Sequence, residues 1–149
     1  MGQAVKVRPL EARDAARWRE LFDGYLAFYK TSVAEDVIGL TWQRLLSGAQ
    51  IGLVAVDAND RPIGLAHVLF HASTWSPTCY CYLEDLFVDP ARRQKGVGRA
   101  LIEAVYARAD AHGCSRTYWM TQETNATARQ LYERIAVRSG FLQYRHIVE

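Results

Sequence analysis

Cysteine is scarce in this 149-residue chain, which has three: Cys79, Cys81 and Cys114. An odd count without CxxC spacing excludes a disulfide framework of the small secreted kind. Cys79 and Cys81 lie two apart in a strand-like stretch and read as filler. A metal centre needs further cysteine or histidine partners at ligand spacing, so no metal is expected. Four prolines and ten glycines leave no linker, repeat or low-complexity tract. Excess charge of one sign is also missing. A net charge of +2 argues against a protein that coats nucleic-acid phosphates, which shows a strong basic excess. No apolar run reaches the length of a membrane span. The opening "MGQAVKVRPLEARD" lacks the hydrophobic core of a signal peptide. Gly2 follows Met1, but position six is Lys6 rather than Ser or Thr, so the N-myristoylation pattern fails. The expectation is a cytoplasmic protein that binds neither nucleic acid nor membrane.

What is present suits a single soluble domain over residues 1–149. Apolar residues make up 50% and charged ones 23%, ordinary for a globule. A domain of this size buries roughly 68–70% of its unfolded surface. "VKVRPL" reads as a short strand. Ala12 to Lys30 reads as a helix, because Trp18, Phe22, Tyr25 and Tyr29 recur on one face. Val33 to Ser47 is a weaker helix interrupted by Gly39. "IGLVAVD" and "IGLAHVLFHAS" flank the turn cluster "ANDRP" and form a hairpin. "CYCYLEDLFVD" is a long strand stopped by Pro90. A helix then runs to about His112 with Gly113 as its C-cap. "SRTYWMTQ" is a strand, "TNATARQLYERIAVRS" a helix capped by Thr124 or Asn125, and "GFLQYRHIV" a final strand. The order β-α-α-β-β-β-α-β-α-β predicts an α/β (α+β) fold with a mixed sheet of about six strands, antiparallel first and carrying a parallel βαβ unit later.

The stretch "ARRQKGVGRALIEAV" (91–105) carries the chemistry. A strand feeds a glycine-bearing turn, and the turn opens a helix. Helix N-termini carry unpaired N–H groups and roughly half a positive charge. Glycines let that backbone approach a ligand, and the combination cradles phosphate. Arg93 and Lys95 add charge. The spacing Arg93-x-x-Gly96-x-Gly98 is neither the GxxxxGK[ST] nor the GxGxxG nucleotide pattern. Within the helix, Val97, Leu101, Ala104 and Val105 form a buried stripe, and Arg99 can pair with Glu103.

"YLEDLFVDP" followed by "RQKGVG" resembles the acetyl-coenzyme A signature of the GNAT N-acetyltransferase superfamily, and the element order resembles that fold along almost the whole chain. "TQETNATARQLYERIAVRSGFLQYR" is similar to a microbial subgroup related to yeast enzymes that acetylate histones, polyamines or D-amino acids, and "YLEDLFV" to the diamine acetyltransferases. The resemblance implies an N-acetyltransferase that uses acetyl-CoA, assembles as a homodimer and acts on a small-molecule amine. It implies that backbone amides of Gln94, Lys95, Gly96, Val97, Gly98 and Arg99 hold the pyrophosphate. Backbone groups of Leu86, Phe87 and Val88 would pair with the pantetheine arm like an added strand.

Acetyl transfer poses two proton problems: the amine arrives as an ammonium, and a thiolate departs. Tyr132 lies seven residues after Asn125, two helical turns and about 10 Å along one face. Ala128 between them leaves room for a ligand. The family pattern places such a tyrosine beside the coenzyme sulfur as proton donor, with Asn125 orienting the arm. A phenol with pKa near 10 suits a thiolate whose conjugate acid is near 8.5. A tyrosine filling core beside Leu131 and Ile135 is the plain structural alternative. Glu84 and Asp85 adjoin in a strand and so point to opposite faces unless a bulge intervenes. Glu84 matches the acidic residue of the family's "LED" strand and is the expected general base, through a water; Asp85 is expected as its structural partner. Pairing of both acids with arginines is the alternative. No cysteine matches a family catalytic position, so transfer is direct.

The acceptor pocket is expected from the first helices and the "STWSPT" loop, with Tyr29, Trp75 and Glu84 touching substrate and Trp42 a further candidate for cation–π contact. Glu35 and Asp36 read as a solvated pair. His67 and His71 share a strand face too far apart to bind one ion and read as ordinary residues. Gly140-Phe141 follows Tyr132 at a longer interval than in many family members, which points to a reshaped acceptor rim or dimer edge. The expected acceptor is a primary amine of the polyamine or amino-acid class. A protein lysine or histone acceptor and a non-catalytic acyl-CoA sensor are the rivals.

Overall fold

The computed structural model describes residues 5–93 and 95–148. Gln94, one of the expected pyrophosphate contacts, lies outside them. The residues form two compact units, one through Trp119 and one from Met120.

The first unit holds β1 (Lys6–Pro9), α1 (Ala15–Phe28), α2 (Glu35–Ser47), β2 (Ile51–Val56), β3 (Pro62–His71), β4 (Tyr80–Val88), α3 (Val97–His112) and β5 (Arg116–Tyr118). The sheet runs β1-β2-β3-β4-β5. Its first three pairings are antiparallel and β4–β5 is parallel, the mixed pattern expected once α3 serves as a crossover. The β2–β3 hairpin closes on Asp57, whose Oδ1 accepts from the N–H groups of Asn59 and Arg61 at 2.9 and 3.0 Å. α2 runs unbroken through Gly39, where an added Cβ would meet nothing within 4 Å. The expected interruption does not occur, because one exposed glycine costs a helix only about 1 kcal/mol.

Strand parity divides the core into two layers. Leu65 and Phe87 face α1 and α2, where they pack with Trp18, Leu21, Phe22, Leu26, Ile38 and Leu45. Gly64, of opposite parity, faces α3: a Cβ there would stand 3.1 Å from Leu101 and 3.2 Å from Val97. Val97, Leu101 and Val105 of α3 are buried as the sequence indicated, but Ala104 is only half-buried and Ile102 completes the buried stripe instead.

In the second unit α4 (Ala126–Ile135) begins after Asn125 as N-cap. Residues 136–148 hold no regular structure, and Phe141, Leu142, Tyr144, Ile147 and Val148 are exposed. The final strand expected from "GFLQYRHIV" is therefore absent among the described residues, and the sheet has five strands rather than about six. An alternating pattern makes a strand only where an edge pairs with it. Among the described residues no helix is long and apolar enough to cross a membrane.

Candidate active site

The turn between β4 and α3 is built by local rules. Asp89 caps a short 3-10 turn, Pro90–Arg92, its Oδ1 accepting from the Ala91 N–H at 3.0 Å. Arg93 is extended, and Gly96 at the N-cap of α3 is left-handed with φ 79°. Among the described residues no side chain caps α3, and a Cβ on Gly96 would meet nothing within 4 Å. The positive end of this 16-residue helix is suited to an anion. Val97 is buried, so only its backbone is available there. Arg99 pairs with Glu103 at 2.9 Å, and Lys95 is exposed. Arg93 folds back: its Nε donates to the Val88 carbonyl at 3.2 Å, and its guanidinium lies 5.5 Å from the Phe28 ring and 5.4 Å from the Phe87 ring.

β4 is paired to β3 along its length, but β5 meets it only at Tyr80, Cys81 and Tyr82. Past Tyr82 the second edge of β4 has no ladder partner among the described residues. Leu86, Phe87 and Val88 carry that edge, so their backbone groups can pair with an extended ligand arm.

The β3–β4 ladder carries a bulge. His67 pairs with Asp85, yet Val68 pairs with Leu83, which leaves Glu84 as the extra residue. A bulge breaks alternation. The expectation that Glu84 and Asp85 point to opposite faces is corrected here: both line one cavity of about 240 Å³, with Phe22, Val33, Val37 and Thr41 from the α1–α2 side. Glu84 is the exposed member of the pair. Burial, reinforced by the charge of Glu84 and a hydrogen bond to it, pushes the Tyr82 hydroxyl above its ordinary range. Burial, followed by the charge of Asp85 and a hydrogen bond to it, does the same for Tyr25.

Asp85 continues inward. Its Oδ2 lies 2.8 Å from His67 Nδ1, and His67 Nε2 accepts from Trp18 Nε1 at 3.0 Å. His67 is 5% exposed and Trp18 2%. His67 is thus a buried polar link to the pocket rather than an ordinary strand residue. The available signal was a histidine in a strand whose neighbours are all apolar.

The acetyltransferase (GNAT) family model matches residues 15–136. The chain belongs to the GNAT acetyltransferase family. It is 35% identical over 144 residues, 95% of this chain and 89% of the relative, to the D-amino-acid N-acetyltransferase HPA3 of Saccharomyces cerevisiae. It is 30% identical over 137 residues, 86% of each chain, to an aminoglycoside N(6')-acetyltransferase type 1 of Klebsiella aerogenes. Among solved structures, a probable acetyltransferase superimposes with a TM-score of 0.85 at 20% identity, covering 97% of this chain and 98% of that one.

The remaining expected residues of this GNAT enzyme are placed as follows. Asn125, Ala128 and Tyr132 are all half-buried on one face of α4. The Asn125 amide donates to Thr121 Oγ1 at 3.3 Å. Tyr29 is half-buried and stacks edge-on against Tyr25, with ring centroids 5.1 Å apart. Trp42 packs on Trp18 within the core layer. Trp75 is 75% exposed and does not line the cavity that holds Glu84. Glu35 is ion-paired with Arg19.

Proposed function

We propose that this GNAT enzyme moves an acetyl group from acetyl-CoA directly onto a primary amine of a small molecule, in the polyamine or amino-acid class. The observation that carries the reading is the β4 bulge, which brings two adjacent carboxylates onto one pocket whose other walls include Phe22, Val33 and Val37. Such a pocket favours an ammonium, since an opposite charge stabilises both partners there. The names of the two curated relatives, each an N-acetyltransferase of a small amine, support the same class.

The residues fit the coenzyme. The N-terminus of α3 with left-handed Gly96 suits a pyrophosphate, held by backbone amides of residues 94–99 with Arg93 and Lys95 beside them. The β4 edge at Leu86, Phe87 and Val88 suits the pantetheine arm. Bound there, acetyl-CoA supplies the acetyl group as an activated thioester. Glu84, exposed and beside the pocket, takes the proton of the incoming ammonium through a water. Tyr132 protonates the departing thiolate, and Asn125 and Ala128 shape the same helix face for the coenzyme arm. Tyr29, packed against Tyr25, is the aromatic assigned to the acceptor; Trp75 lies outside the cavity that holds Glu84 and is not given that role.

Residues 1–149 act in this reading as one catalytic domain, and the enzyme is a cytoplasmic homodimer. A second copy would cover exposed apolar side chains such as Phe141 and Leu142.

The test is thiol release from acetyl-CoA over a panel of polyamines, amino acids and a lysine peptide. Turnover of a small amine, lost in Tyr132→Phe while coenzyme binding persists, is expected. Coenzyme binding without turnover of any amine would show an acyl-CoA sensor instead, and turnover of the peptide alone a protein acetyltransferase.

A further inference from the structure

Glu84 and Asp85 both line one pocket. A carboxylate that is to grip a cation in a fixed direction needs a hydrogen-bond donor to orient it. Asp85 has such a donor in the His67 ring across the ladder.

The hydrogen-bond chain fixes where the His67 proton lies. An indole N–H only donates. Trp18 Nε1 donates to His67 Nε2 at 3.0 Å, so Nε2 presents its lone pair and Nδ1 carries the proton toward Asp85. An imidazolium would set N–H against N–H, and a buried donor left unpaired costs about 1–3 kcal/mol. Trp18 cannot turn aside. Phe22 stacks on it at 5.3 Å and Trp42 lies 4.9 Å away. The titratable groups turned toward this ring are Asp85, with Glu84 beside it, and Tyr25, whose hydroxyl is held above its ordinary range. Asp85 therefore receives a neutral donor from His67, which orients it without cancelling its charge.

We propose that His67, locked by Trp18 as the neutral Nδ1–H tautomer, is a positioning residue for the acceptor: it holds Asp85 as an oriented anion that grips the incoming ammonium beside Glu84. Glu84, exposed and free of that clamp, remains the group that accepts the proton. Sequence alone gave Asp85 a structural role; the bulge and the His67 contact give it a binding one. The inference rests on the N-acetyltransferase reading above.

The test begins with the wild-type protein. Long-range proton–nitrogen NMR of His67 is expected to show the neutral ring as the Nδ1–H tautomer. An Nε2–H form overturns the proposal. Trp18→Phe keeps the ring and removes the donor. In that variant the Nδ1–H tautomer is no longer enforced, and KM for the amine is expected to rise about tenfold, because Asp85 loses its fixed donor. The kcat at saturating amine should change far less. A folded Trp18→Phe with a wild-type KM profile overturns the proposal. Should that variant not fold, His67→Asn and His67→Leu replace it. Asn offers an amide donor near the Nδ1 position and should keep KM near wild type, whereas Leu should raise it at every pH; equal KM values in the two overturn the proposal. Wild-type turnover with none of these effects defeats this inference alone. Absence of turnover with any amine defeats the N-acetyltransferase reading and this inference with it.

Discussion

Gly24 of α1 lies directly over the ring of Phe87 on β4: a Cβ at Gly24 would stand 3.0 Å from both Cε2 and Cζ. Phe87 is buried, and its backbone belongs to the β4 edge assigned to the pantetheine arm. The missing side chain on α1 therefore leaves room for the Phe87 ring of β4. Gly24→Ala should force the ring or the helix to shift at a cost of about 1–3 kcal/mol, partly offset by better helix propensity. Thermal melts should show a lower Tm, and KM for acetyl-CoA should rise more than KM for the amine.

Gly96 gives a separate handle on the turn. It has space for a side chain but a left-handed φ of 79°, which costs a non-glycine residue roughly 1–2 kcal/mol. Gly96→Ala should lower Tm by about 2–4 °C per kcal/mol and weaken coenzyme binding several-fold as the turn relaxes. Calorimetry on the variant with acetyl-CoA checks the second half.

Arg93 is a clamp as well as a charge. Its guanidinium lies against Phe28 and Phe87 while its Nε holds the Val88 carbonyl. Arg93→Lys keeps the charge but loses the planar donor and the stacking. It should weaken coenzyme binding almost as much as Arg93→Ala. Full recovery of affinity in the lysine variant would show that charge alone matters at this position.

Acid stability should depend on Asp14. Burial by itself would raise this carboxyl, but hydrogen bonds from Arg8 at 2.8 and 2.9 Å and from the Glu11 N–H at 2.8 Å hold it below its ordinary value. A carboxyl depressed in the folded state stabilises the protein above its unfolded pKa of about 4. That stability is lost as pH falls through the lower folded value. Asp14→Asn should cost about 2 kcal/mol at neutral pH and flatten the acid limb of the denaturation curve. An unchanged acid limb in urea melts would contradict this.

The parts legible in the sequence were those set by neighbours in the chain. Gly96, the Arg99–Glu103 pair and the Gly113 cap follow from rules that act within one or two helical turns, and all three hold. The parts that were not legible depend on distant pairing. The Glu84 bulge exists only through the register of β4 against β3, so strand parity misled. His67 gains its role from Trp18, 49 residues away, and Asp85, 18 away. Residues 141–148 alternate like a strand but have no strand partner among the described residues, and they remain irregular.

The most direct test of the account is a calorimetric titration of acetyl-CoA into the wild-type chain and into Gly98→Asp, which puts a negative charge into the first turn of α3. One saturating site per chain in the wild type, with binding lost in the variant while its circular dichroism stays intact, is the predicted result. No heat with the wild type, or equal affinity in both proteins, would contradict the claim that the β4–α3 turn holds the coenzyme.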